Sequence, residues 1–116
     1  MTQLNMLITG GTKGVGLELV NHYASAGHKV FVIARSKIEF ANPNICQHSY
    51  DFADVVTNSA GLRSIIDDIG DIDVLINNAA FLKSTPLMLM PDSDICRQYA
   101  VNVIAPALLS KYCLRR

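Results

Sequence analysis

The sequence has 116 residues, of which 50% are hydrophobic and 17% are charged, with 10 basic and 10 acidic side chains. This length fits a single domain over residues 1–116, and the apolar content excludes a disordered chain. The zero net charge favours neither a nucleic-acid partner nor an acidic tail, and no apolar run approaches the ~20 residues of a membrane span. The three widely spaced cysteines, with no C-x-x-C pair, indicate reduced thiols and hence a cytoplasmic protein.

The N-terminal part of the chain combines an apolar run, a glycine-rich turn and an apolar-periodic segment. Residues 4–9 suit a buried strand, and residues 15–26 have the periodicity of a helix. The first turn of such a helix has backbone N–H groups without partners and carries partial positive charge, so it stabilises a pyrophosphate. We expect Gly10, Gly14 and Gly16 to form this phosphate-binding turn, because side chains would hold the backbone away from the phosphates.

The rest of the chain alternates apolar strands with helical segments. We predict strands over residues 29–34, 45–51 and 72–76, helices over residues 54–69 and 92–114, and a loop over residues 81–91. Pro106 is expected to bend the last helix. No second histidine and no cysteine stands at helical spacing from His22, so we expect no metal site. Right-handed crossovers between such strands predict an α/β fold, a Rossmann-like three-layer parallel sheet of about four strands in the order 3-2-1-4.

Four short motifs then occur in a specific order. Residues 9–16 read T-G-G-T-K-G-V-G, Asp51 follows the third strand, residues 77–80 read N-N-A-A after the fourth strand, and Asn102 lies in the last helix. The sequence thereby resembles the N-terminal half of the short-chain dehydrogenase/reductase family, whose cofactor motif is T-G-x-x-x-G-x-G and whose motif after strand four is N-N-A-G. Ala80 replaces the glycine of that second motif.

The resemblance implies a nicotinamide dinucleotide cofactor. The implied cofactor-binding residues are Thr9, Gly10, Thr12, Lys13, Gly14, Val15, Gly16, Arg35, Ser36, Asp51, Phe52, Asn78, Ala79 and Ala80. It implies that the Asp51 carboxylate holds the adenine amino group and that the backbone of Asn78 and Ala79 passes along the adenine ribose. Asn102 matches the catalytic position whose backbone helps to hold a water in the proton relay. The alternative is that Asp51 caps a turn, Asn77 and Asn78 are turn residues, and Asn102 is a polar helix residue.

The end of the second strand favours NADP(H) over NAD(H). An NAD-selective site places a carboxylate there to accept a hydrogen bond from the ribose 2′-OH, whereas here Arg35, Ser36 and Lys37 follow the strand. A guanidinium binds a 2′-phosphate through charge-assisted hydrogen bonds, and Lys13 adds a second cation beside it. The alternative is that both are exposed surface charges.

The resemblance also implies that the catalytic serine and the Tyr-x-x-x-Lys pair follow a fifth strand, beyond the helix of Asn102. These 116 residues contain no such segment, and we assign Tyr112, in the same helix, a structural role. We therefore expect a truncated protein that binds NADP(H) but does not transfer hydride alone. Two alternatives stay open: an N-terminal fragment of an active NADP-dependent oxidoreductase, and a non-catalytic oligomeric interaction protein that no longer uses the nucleotide site.

A sheet that lacks its fifth strand leaves the strand over residues 72–76 with an open edge. Such an edge favours association with another chain. We expect a homodimer, formed through this edge or through the helix over residues 92–114, and either route gives a symmetric interface.

Overall fold

Four parallel strands and four α-helices occupy residues 2–114, the part of the chain that the computed structural model describes. In chain order they are β1 (Asn5–Thr9), α1 (Gly14–Ser25), β2 (Lys29–Ala34), β3 (Ile45–Ser49), α2 (Ser59–Ile69), β4 (Val74–Ile76), α3 (Asp92–Tyr99) and α4 (Ala105–Leu114). The strands lie in the order β3-β2-β1-β4, and all pairs are parallel. The predicted Rossmann-like sheet is thereby confirmed, although β3 and β4 are each two residues shorter than predicted.

The two faces of the sheet bury separate apolar clusters. β1 is central, since Leu7 pairs with Phe31 of β2 on one side and with Leu75 of β4 on the other. Leu7 belongs to the cluster that contains the apolar sides of α2 and α4, whereas Ile8 belongs to the cluster beneath α1. Because neighbouring strand residues point to opposite faces, this alternation produces three layers, with the sheet in the middle.

The predicted helix over residues 54–69 is divided at its start. Asn58 caps α2, and its Oδ1 accepts a hydrogen bond from a backbone N–H of the first helical turn at 3.1 Å. Phe52–Asp54 instead form a 3₁₀ turn, which Asp51 begins by accepting a hydrogen bond from the N–H of Ala53 at 2.9 Å. Short Asn and Asp side chains offer the backbone this local alternative, so α2 is shorter than its apolar periodicity predicted.

The last predicted helix contains a π-helical segment instead of a simple bend. Ala100–Ile104 lie between α3 and α4 in π-helical conformation, and the N–H of Ala105 donates to the carbonyl of Ala100. Pro106 has no N–H, so it cannot donate to the carbonyl of Asn102 as an α-helix would require. A widened turn accommodates this missing bond, and such turns are frequent at functional sites.

Two further structural features limit the kinds of site. None of the helices in residues 2–114 combines the length and the apolar content that a bilayer span requires. Within the same residues, no cluster of three or more His, Cys, Asp or Glu side chains is arranged to hold a metal ion.

Candidate functional site

The turn between β1 and α1 presents the amide groups of a helix N-terminus. Gly10 and Gly14 have φ angles of 65° and 59°, in the left-handed region that favours glycine. Lys13 precedes α1 in an extended conformation, and no side chain caps the helix. The first-turn N–H groups of α1 therefore have no side-chain acceptor, and this end of the helix dipole favours an anion.

Gly16 lies where α1 crosses this turn most closely. A Cβ atom at Gly16 would stand 2.3 Å from the carbonyl oxygen of Gly10 and 2.4 Å from Nδ2 of Asn78. That same Nδ2 donates hydrogen bonds to the carbonyls of Thr9 and Gly10, at 3.1 and 3.2 Å. The segment after β4 thus fixes the shape of the glycine turn, and only glycine leaves room for this arrangement.

Thr9 joins the ends of β1 and β4 below the turn. Its side chain is buried, and its Oγ1 accepts hydrogen bonds from the N–H groups of Asn78 and Ala79, at 3.0 and 2.9 Å. These bonds satisfy two backbone donors that leave the sheet at the end of β4. Thr9 therefore acts on the site by positioning Asn78 and Ala79.

A cleft of about 470 Å³ lies at the carboxyl ends of the four strands. The predicted site residues that line it are Gly10, Thr12, Lys13, Gly14, Arg35, Ser36, Asp51, Phe52, Asn78, Ala79 and Ala80. The predicted residues Thr9, Val15, Gly16 and Asn102 are not among the lining residues. Thr9 and Gly16 instead contact the residues that form the turn and the segment after β4. The cleft is also lined by Ala34, Phe81, Arg97 and Val101, which the sequence motifs did not indicate.

Asp51, which follows β3, both caps a turn and lines the cleft. One carboxylate oxygen, Oδ1, accepts the hydrogen bond from Ala53 that begins the 3₁₀ turn. The side chain also lines the cleft, so the capping role and a ligand role are compatible. Burial raises the pKa of the neighbouring Tyr50, with a further contribution from Asp54, and its hydroxyl donates to the carbonyl of Asn58.

The segment after β2, which carries Arg35, is held by side chains of β3. The Ser49 hydroxyl donates to the carbonyl of Arg35 at 2.9 Å. The amide of Gln47 accepts from the N–H of Ile38 at 3.0 Å and donates to the carbonyl of the same residue. Arg35 and Lys13 are exposed and form no ion pair within residues 2–114, so their charges are available to a ligand.

The side-chain amide of Asn102 forms two hydrogen bonds with the backbone of Phe81. Its Oδ1 accepts from the N–H of Phe81 at 2.9 Å, and its Nδ2 donates to the carbonyl of Phe81 at 2.7 Å. This paired contact joins the π-helical segment to the loop after β4. Tyr112 is 4% exposed and lies in the core cluster beneath α2, in agreement with a structural role.

The sequence of this chain is similar to those of known reductases and dehydrogenases. The sequence model described as short chain dehydrogenase matches residues 4–116. The 2-dehydro-3-deoxy-D-gluconate 5-dehydrogenase of Formosa agariphila is 26% identical, over 94% of this chain and 45% of that protein. The 3-oxoacyl-[acyl-carrier-protein] reductase FabG of Haemophilus influenzae is 31% identical, over 94% of this chain and 48% of that protein. The chain thus spans about half the length of the curated relatives it matches.

The sheet and its flanking helices also match solved structures. A short chain dehydrogenase from Leptospira borgpetersenii, solved with bound NAD⁺, aligns with a TM-score of 0.84 at 25% identity. The alignment covers 99% of this chain and 46% of that one. The whole described fold therefore has a counterpart in a protein that binds a dinucleotide.

Proposed function

We propose that this chain, which belongs to the short chain dehydrogenase family of oxidoreductases, is one nucleotide-binding domain that binds NADP(H) in the cleft at the carboxyl ends of its strands. One observation carries the proposal: a single cleft is lined by the glycine turn, by the cations Lys13 and Arg35, and by the carboxylate of Asp51. NADP(H) needs one anion site for its pyrophosphate, a second for its 2′-phosphate, and a hydrogen-bond acceptor for its adenine amino group. When bound, NADP(H) accepts or supplies a hydride.

Different residues of the cleft would bind different parts of the cofactor. The N–H groups of the first turn of α1, around Val15, would hold the pyrophosphate. The guanidinium of Arg35, with Ser36 and Lys13, would hold the 2′-phosphate, because charge-assisted bonds to phosphate are the strong ones. The second carboxylate oxygen of Asp51 would accept from the adenine amino group.

We further propose that these 116 residues do not transfer hydride alone. Of the residues that the family resemblance assigned to proton transfer, only Asn102 is present. Tyr112 is buried in the core and does not line the cleft. If the chain is part of a longer oxidoreductase, the same cleft serves as the cofactor site, and substrate contacts come from other residues.

Calorimetric titration with NADPH and NADH tests the proposal. We expect saturable binding of both nucleotides with NADPH favoured by about tenfold, the magnitude of one charge-assisted contact at an exposed site. Arg35→Ser should remove this preference by weakening NADPH and leaving NADH unchanged. Lys37→Ser is the matched control, since Lys37 is exposed two residues away and does not line the cleft.

Two results would contradict parts of the proposal. A folded protein that binds neither nucleotide contradicts the nucleotide-binding function itself. Equal affinities for NADPH and NADH in the unsubstituted protein, or an unchanged ratio in Arg35→Ser, contradict only the assignment of NADP(H) and leave NAD(H) as the cofactor.

The cytoplasm is the setting that we propose for this function. The sequence has three cysteines that are far apart, a pattern typical of reduced thiols and not of a disulfide framework. A nucleic-acid or membrane partner is not part of the proposal, because the net charge is zero and the proposed ligand of the cleft is a small nucleotide.

We propose that the chain forms a homodimer through the last helical region. The segment before α3 exposes Leu87, Met88 and Leu89 at 76%, 97% and 73%, and Tyr99 and Val103 are exposed at 63% and 55%. All five side chains lie between residues 87 and 103, and exposed large apolar side chains that form a patch are typical of an interface. Sedimentation velocity at micromolar concentration should show a dimer, and Tyr99→Ser combined with Val103→Ser should yield monomers.

A monomeric unsubstituted protein would exclude a stable dimer. A dimer that persists in the double variant would instead favour pairing through the edge of β4, which has a strand neighbour on one side only within residues 2–114.

A further inference from the structure

Arg97 places a third cation in the cleft, outside every sequence motif. Its side chain is half-buried and lines the cleft, and its Cζ lies 4.5 Å from the centroid of the Phe81 ring. Within residues 2–114 its Nε is enclosed by protein without a hydrogen-bond acceptor, and no carboxylate forms an ion pair with it. The aromatic ring is therefore the contact that holds this guanidinium.

The segment that follows Arg97 along the chain packs against the predicted adenine end of the cleft. Arg97 stands one helical turn before Val101, on the same side of the helix, and both residues line the cleft. The π-helical segment that contains Val101 contacts the 3₁₀ turn Phe52–Asp54. That turn follows Asp51, the predicted acceptor for the adenine amino group.

The ring beneath Arg97 is fixed in place. The backbone N–H and carbonyl of Phe81 are both bound by the amide of Asn102. Phe81 also packs against the core cluster under α2 and α4. A guanidinium held over a fixed ring loses little side-chain entropy when a second planar group binds to it.

We propose that Arg97 is a cofactor-contact residue whose guanidinium lies between the Phe81 ring and the adenine ring of the bound nucleotide. Guanidinium groups are planar and weakly hydrated, and they stack on aromatic and base rings. This assignment rests on the proposed binding of NADP(H). It adds a contact to the adenine base and none to the 2′-phosphate. It predicts that Arg97 contributes equally to NADPH and NADH.

Titration of Arg97→Met with three probes tests this contact. The probes are NADPH, NADH and adenosine 2′,5′-bisphosphate, which has the adenine and the 2′-phosphate without the nicotinamide half. We expect all three to bind about tenfold more weakly, by a common factor, as for the loss of one stacking contact. The ratio of NADPH to NADH affinity should stay unchanged, and Arg97→Lys, which keeps the charge without the plane, should lose nearly as much.

Arg63→Met is the matched control. Arg63 also lies over an aromatic ring, that of Tyr112 at 5.0 Å, but it is exposed and does not line the cleft. This variant should bind all three probes as the unsubstituted protein does. Urea unfolding of the three variants separates a binding effect from a loss of stability, since Arg97→Met should keep its unfolding midpoint within the range of the control.

The outcomes distinguish this inference from the function on which it rests. Unchanged binding in Arg97→Met overturns the contact, and so does a loss confined to the two 2′-phosphorylated probes, which would make Arg97 a phosphate contact. A loss in Arg97→Met that Arg97→Lys restores would also overturn stacking in favour of charge alone. If the unsubstituted protein binds no probe, the proposed function itself fails and the contact fails with it.

Discussion

Replacement of Gly16 with alanine is expected to weaken NADPH binding by more than about 100-fold, since it removes the geometry on which the phosphate site depends. The new Cβ would stand 2.3 Å from the carbonyl oxygen of Gly10 and 2.4 Å from Nδ2 of Asn78. Neither neighbour is the free end of a flexible side chain, because the first is backbone and the second donates to Thr9 and Gly10. The turn must therefore open, and the Asn78 bonds must lengthen or break.

Two measurements test the Gly16→Ala variant, one of NADPH affinity and one of stability. Calorimetry with NADPH reports the loss of binding, and urea unfolding should show a loss of about 2–3 kcal/mol, typical of overpacking in a tightly packed site. Gly27→Ala is the matched control: Gly27 has a φ of 96°, no atom lies within 4 Å of its Cβ position, and it follows the far end of α1. It should cost about 1–2 kcal/mol of stability through backbone strain, with NADPH affinity unchanged.

Equal NADPH affinity in Gly16→Ala and the unsubstituted protein would contradict the phosphate-binding role of the turn. A loss of affinity in Gly27→Ala of the same size would show that binding merely follows global stability. Only the combination of a large loss at Gly16 and none at Gly27 supports a local site at the N-terminus of α1.

The fold was largely predictable from the sequence because its signals are local. The continuous apolar run of β2 and the apolar sides of α1 and α2 gave the element order, and the alternation of strands and helices gave the strand order. The start of α2 was not predictable from periodicity, since the side chains of Asp51 and Asn58 bind the backbone and interrupt the helix. The π-helical segment was also missed, although Pro106 marked a disturbance near it.

The candidate site was predictable only as far as its residues belong to motifs. The glycine spacing predicted the phosphate-binding turn, and the position of Arg35 directly after β2 predicted a cation in the cleft. Arg97 and Phe81 have no such pattern, because they are far apart in sequence from the glycine turn and reach the cleft through packing of the last helix on the sheet. The bonds from Asn102 to Phe81 are likewise a tertiary contact that sequence spacing does not encode.

Replacement of Thr9 with valine should lower the free energy of unfolding by about 3 kcal/mol, because it leaves two partly buried backbone donors without an acceptor. Valine has nearly the same shape, so packing is kept while the oxygen is lost. The N–H groups of Asn78 and Ala79 now donate to Thr9 Oγ1, at 3.0 and 2.9 Å, in a residue that is 2% exposed. Urea unfolding, followed by circular dichroism, measures the loss.

Thr9→Ser is the control that separates the oxygen from the methyl group. Serine keeps the acceptor and should cost only about 1 kcal/mol for the lost apolar group. If valine is tolerated as well as serine, Thr9 is a packing residue and the two N–H groups find other partners. If valine costs the larger amount, the hydroxyl joins β1 to β4. We then expect the valine variant to bind NADPH more weakly than the serine variant, because Asn78 and Ala79 line the cleft.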